Sequence, residues 1–95
     1  MKYTIYQLPI EHDNCFMDYD FANKHGGVDF PAYVSKYTGQ IAGKTASDVL
    51  ETLYITFNVN HPADYKGRSL SVSDLIILED VGIFFCDSFG WKEIK

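Results

Sequence analysis

One stretch of this chain changes the spacing of its apolar residues, and that change limits the folds open to it. Val49, Leu50, Leu53, Tyr54 and Phe57 fall at i, i+1, i+4, i+5 and i+8, one broad stripe of an α-helix. A main helix is therefore expected over about residues 47–58. Asp48 followed three residues later by Glu51 resembles a capping box, with Ser47 or Thr45 as alternative caps. The segment Asn58 to Pro62 ends the helix, because proline cannot continue the hydrogen-bond ladder and disfavours helical geometry at His61.

Elsewhere the period is two. Tyr3, Ile5 and Gln7 share one face of an amino-terminal strand, opposite Thr4, Tyr6 and Leu8, and Pro9 stops it. Residues 32–41 alternate again and close at Gly39. Leu75-Ile76-Ile77-Leu78 is a continuous aliphatic run of strand length, which predicts a central strand buried on both faces. Glu79-Asp80-Val81-Gly82 reads as a hairpin turn leading to a partner strand over 83–88, and Trp91 to Ile94 as a last short strand. Residues 10–30 are the least regular. A short second helix is expected near 14–19, capped by Asp13 or Asn14, and His25-Gly26-Gly27 marks a turn. One helix must then cover one face of a mostly antiparallel sheet of four to five strands, an α+β two-layer fold, with 14–30 covering the second face.

Ninety-five residues leave room for one domain, spanning 1–95. The apolar fraction of 46% and charged fraction of 22% are globular, not disordered, values. Fifteen aromatic residues supply the large buried surfaces a small core needs. A net charge of −5 argues against direct nucleic-acid binding, since the Lys and Arg residues form no basic track. No apolar run approaches the ~18 residues of a membrane span and no signal-peptide region is visible at the start, so a cytoplasmic protein without membrane contact is expected. Two cysteines, Cys15 and Cys86, without a Cys-x-x-Cys pair, suit reduced structural thiols.

Polar chemistry concentrates in residues 61–74. His61, Asp64, Arg68, Ser69, Ser71, Ser73 and Asp74 form a candidate binding surface, with Asp87 nearby in the fold. Arg68 can fork two hydrogen bonds to a carboxylate or phosphate, and the seryl hydroxyls with Asp74 can orient a polar ligand. The structural alternative uses the same residues differently: Pro62 and Asp64 turn the chain, Ser71, Ser73 and Asp74 bond backbone entering the strand, and Arg68 pairs with Asp64 or Asp74. Catalytic and metal motifs are absent. Gly67-Arg68-Ser69-Leu70-Ser71 lacks the second glycine of a nucleophile elbow. A thiol–imidazole pair of Cys86 and His61 beside Asp87 meets the objection that two phenylalanines and a carboxylate raise a thiol's pKa. His12, His25 and His61 show no zinc spacing, and no cofactor is implied.

Several blocks together resemble the YodL-like family of small bacterial domains. They are Tyr3-Thr4-Ile5-Tyr6-Gln7-Leu8, Leu50-Glu51-Thr52-Leu53-Tyr54 leading to Phe57-Asn58, the run from His61 to Asp74, and Cys86-Asp87-Ser88-Phe89-Gly90-Trp91. The resemblance implies a setting in Gram-positive bacteria, often on conjugative transposons, and it carries over no catalytic residues to this sequence. The expected function is a non-enzymatic accessory module binding a host or element-encoded protein. One alternative is an anti-restriction or DNA-processing accessory acting through an acidic surface; a remote one is a small hydrolase or transferase using His61, Cys86 and Asp87. A monomer is expected, with residues 3–8 as an edge strand through which a weak dimer would form, although Lys2 and Pro9 blunt it.

Overall fold

The computed structural model describes residues 1–94. In chain order the elements are β1 (Lys2–Gln7), α1 (Tyr19–Lys24), a 3-10 turn (Phe30–Ala32), β2 (Val34–Gln40), α2 (Ala46–Val59), β3 (Leu75–Leu78), β4 (Gly82–Cys86) and β5 (Trp91–Ile94). The five strands form one antiparallel sheet in the order β2-β1-β3-β4-β5. Because β2 and β3 both run antiparallel to β1, they are parallel to each other, and α2 is the crossover joining them.

Alternation decides which side of the sheet α2 covers. Tyr3, Ile5, Ile76, Leu78 and Phe84 point to one face and meet Val49, Leu50, Leu53 and Phe57 of the helix stripe in a common core. Phe57 is the hub: fully buried, it packs against the rings of Tyr65, Tyr37 and Tyr3 at centroid distances of 4.8, 5.5 and 6.1 Å. On the opposite face the cover is local. Tyr19 packs edge-on against Phe85 at 5.4 Å, burying the Leu75 end of β3, whereas Ile77 is only half-buried.

Three expectations need correction. The second helix lies at 19–24, not 14–19, because Asp18 rather than Asp13 or Asn14 caps it, accepting from Phe21 N at 2.9 Å. Residues 12–17 form consecutive turns instead, and Phe16 at φ 68° is incompatible with helix. Secondly, residues 3–8 are not an edge: β1 is paired on both sides, so it offers no free ladder for a dimer. The edges are β2 and β5. β2 is blunted by a bulge, since Ile5 pairs with Tyr37 and Tyr6 with Ser35, leaving Lys36 as the extra residue. Thirdly, the capping box at Asp48 does not form: of the alternative caps it is Thr45 that caps α2, its hydroxyl accepting from Asp48 N at 3.1 Å, so Asp48 sits inside the first turn.

Truncating the hub should show how much of the fold rests on it. Phe57→Ala is expected to lower the unfolding free energy by about 3–5 kcal/mol, read from urea melts followed by circular dichroism. A loss under about 1 kcal/mol would mean that the surrounding tyrosines close the gap by themselves.

Candidate functional site

The polar segment predicted from sequence folds inward. Its centre is Gln7, the last residue of β1, which lies on the apolar face with Tyr3 and Ile5 and is fully buried. Its amide treats Arg68 as a neighbouring strand would: Oε1 accepts from Arg68 N and Nε2 donates to Arg68 O, each at 3.0 Å. The same Nε2 donates to Asp74 Oδ2 at 3.0 Å. Gly67 lets the backbone come this close, because a β-carbon there would stand 2.8 Å from Gln7 Oε1 and closer still to the Tyr65 hydroxyl. That hydroxyl donates to Arg68 O, completing the set around one peptide group.

Asp74 is fully buried at the entry to β3. Its Oδ2 also accepts from Ser71 N at 2.9 Å, a local turn that starts the strand, while Oδ1 is buried without a protein partner. Burial dominates its acidity and pushes the carboxyl from 3.8 up to about 6, against the opposing pull of the Ser71 amide, the Gln7 amide and the Arg68 charge. Arg68 does not pair with Asp64 or Asp74. Its Nη2 donates to Leu8 O at 2.9 Å and to Cys15 Sγ at 3.7 Å, and its guanidinium lies 5.2 Å from the Phe16 ring. Ser73 ties in two more segments: its hydroxyl accepts from Phe16 N at 2.9 Å and its carbonyl accepts from the Tyr33 hydroxyl.

The other candidates lie outside this node. His61 is exposed, its Nδ1 against Pro62 O at 2.9 Å and its ring 5.5 Å from Tyr65. Asp64 is exposed and accepts from the Tyr37 hydroxyl at 3.1 Å, and Ser69 faces solvent. Asp87 belongs to the β4–β5 turn, where its Oδ1 accepts from Tyr19 N at 3.1 Å and Ser88 N at 2.9 Å. Cys86 is buried, and desolvation first, then the Asp74 and Asp87 charges, push its thiol up to about 12. No hydrogen bond joins His61 to Cys86 or Asp87 among the described residues. The node thus joins Arg68, Ser71, Ser73 and Asp74, and leaves His61, Asp64, Ser69 and Asp87 outside.

A family model described as YodL-like domain matches residues 2–95, essentially the whole chain. The chain belongs to the YodL-like family. No curated protein and no solved structure matches it. Among the described residues, this YodL-like domain has no cluster of three or more His, Cys, Asp or Glu placed to hold a metal ion. No helix among them is long and apolar enough to cross a membrane.

Sequence reasoning missed Gln7, Tyr33, Tyr65, Cys15 and Phe16 as members of the node. Gln7 carried a signal: a polar side chain on the apolar face of a strand must find partners inside the protein. Cys15, Phe16 and Tyr33 are placed by contacts forty or more residues away, which leave no local mark, and Tyr65 reads in sequence as one more core aromatic although its hydroxyl reaches Arg68 O three residues on.

Two measurements follow from this chemistry. Asp74 has a raised folded-state pKa, so its contribution to stability is complete below about pH 3.8 and declines as pH rises through about 6. Asp74→Asn keeps an acceptor for Ser71 and Gln7 but cannot ionise. Its stability relative to wild type should rise by about 3 kcal/mol between pH 3.5 and 7.5 in parallel denaturant melts, the equivalent of a shift of about two pH units. A pH-independent difference would show that Asp74 is not desolvated as described. For the thiols, iodoacetamide at pH 7.5 should label native Cys86 only at the rate of opening; labelling within minutes would reveal an activated thiolate.

Proposed function

We propose that this domain is a non-catalytic protein-binding module, an accessory of a mobile genetic element whose partner is a host or element-encoded protein. The observation that carries the reading is Phe89, 98% exposed at the tip of a turn that is otherwise firmly held. Asp87 N donates to Gly90 O at 2.9 Å across the turn, and Gly90 adopts φ 77° to allow it. Asp87 Oδ1 holds the Tyr19 and Ser88 amides, and Ser88 Oγ lies 3.3 Å from Asp18 Oδ2. A turn whose backbone is already fixed has no backbone left to order when a partner covers the ring it presents, which lowers the cost of using that ring as an interface anchor.

The interior supports the same reading. Arg68 and Asp74, the groups best suited to ligand chemistry, are engaged in joining segments of the fold, and the Cys86 thiol is protonated at neutral pH. The alternative of an acidic surface imitating DNA is less well supported. Lys92 shares the hollow beside Phe89 with Asp18, Asp20 and Asp87, its Nζ 5.5 Å from the Tyr19 ring, which interrupts the run of negative charge.

Phe89→Ala tests the reading. Its stability should stay within about 0.5 kcal/mol of wild type, because the ring touches solvent alone. Partners captured from host lysate by the tagged wild-type domain should be recovered about ten-fold less with the variant. Equal recovery by the two proteins counts against the proposal.

A further inference from the structure

Two adjoining hollows run between α2 and β5 on the side of the turn away from Tyr19. One, of ≈ 260 Å³, is lined by Glu51, Tyr54, Val72, Cys86, Asp87 and Trp91 with their neighbours. The next, of ≈ 330 Å³, is lined by Ser47, Leu50, Phe84 and Glu93 together with Glu51 and Trp91. Glu51, Gly90 and Trp91 border both, so the two form one groove with Glu51 and Trp91 at its waist. Trp91 and Tyr54 meet edge-on at 6.4 Å, presenting an aromatic wall.

The charge of this groove is of one sign. Glu51 and Glu93 supply two carboxylates, Asp87 borders the groove with its carboxylate engaged by the Tyr19 and Ser88 amides, and no Lys, Arg or His among the described residues lines it. Neither Glu51 nor Glu93 takes part in an ion pair among the described residues. Aromatic faces attract cations through their quadrupoles, and carboxylates do so by charge. The apolar floor of Leu50, Val72 and Phe84 suits the methylene stem that carries such a charge. A cation on an apolar stem is the side chain of arginine or lysine, and an arginine can also fork onto the Glu51 carboxylate.

We propose that this groove docks a short basic segment of a partner protein, one that lays an Arg or Lys side chain over Trp91 against Glu51. The proposal rests on the binding-module reading and adds the chemistry of the partner. Nucleic acid and anionic lipid are disfavoured by the same carboxylates. Charge complementarity selects the basic segment, and the second adjoining hollow gives a peptide a contact that a lone amine does not fill.

Trp91 is the sole tryptophan of the chain, so its fluorescence reports on the groove directly. The full chain is titrated with acetyl-Leu-Arg-Leu-Lys-Leu-amide, with its Glu-for-Arg/Lys counterpart, and with spermidine. The basic peptide should change Trp91 emission saturably and the acidic one should not. Affinity should fall several-fold between about 50 and about 500 mM salt. Glu51→Lys, at an exposed helix position, should weaken it at least about ten-fold. Glu93→Lys, exposed on β5, is the second variant if the first does not fold. No saturable change, an equal response to the acidic peptide, indifference to both substitutions, or equal affinity for spermidine would each overturn the proposal. If a partner is captured through Phe89 while the basic peptide is ignored, the groove assignment falls and the binding-module reading stands. Failure of both removes the two together.

Discussion

A glutamine side chain with no exposure is stable only where its amide is met on every side, and in this fold that condition falls on Gln7. Leaving one such group unpaired costs about 1–3 kcal/mol, a sizeable part of the stability of a small domain. Its partners are the peptide group of Arg68 and the carboxylate of Asp74, sixty-one and sixty-seven residues further along the chain. The end of β1, the loop after α2 and the start of β3 therefore have to arrive together. Asp74 in turn tolerates burial because Gln7 and the Ser71 amide donate to it. Each of the two thus satisfies part of the other's hydrogen-bonding need.

The node also holds strained backbone. Phe16 and Ser73 sit at φ 68° and 84°, a region costing about 1–3 kcal/mol for residues with a β-carbon. They stabilise each other, the Phe16 amide donating to the Ser73 hydroxyl, while Tyr33 anchors the Ser73 carbonyl. Arg68 closes the arrangement by bonding Leu8 and lying over Phe16. The turns between 12 and 17, where local sequence suggested a short helix, are thus fixed from outside by a serine and an arginine.

This division explains what was legible in the sequence. The strands and α2 are written in local periodicity. The four-residue aliphatic run names the central strand, and a five-residue stripe with Pro62 behind it names the helix. The composition of residues 61–74 also marked a segment with a special role. What composition could not say is whether those polar groups face solvent or each other, since Arg68, Ser73 and Asp74 read identically in either case. The order of strands was equally hidden: β1 has the flanking Lys2 and Pro9 of an edge strand, yet β2 and β3 close on both its sides. The groove between α2 and β5 could not be foreseen, because Glu51 belongs to the polar face of one element and Trp91 to the apolar face of another.

The node and the groove meet through one strand. Ser73 N donates to Cys86 O and Cys86 N to Asp74 O, at 2.9 and 2.8 Å, and Cys86 is the ladder partner of Trp91. The residue that ends the buried polar network is therefore the residue that positions the tryptophan at the waist of the groove. Asp87 follows it directly and binds the first amide of α1, so the turn bearing Phe89 is held from the other side of the sheet as well. An interface assembled on such a frame has little backbone left to order when it binds, and the ordering of loops is one of the costs of association. Asp74 is buried and the half-buried Arg68 is engaged with Leu8 and Cys15, while the Ser73 and Asp74 backbone, through Cys86, holds the strand partner of Trp91 in place.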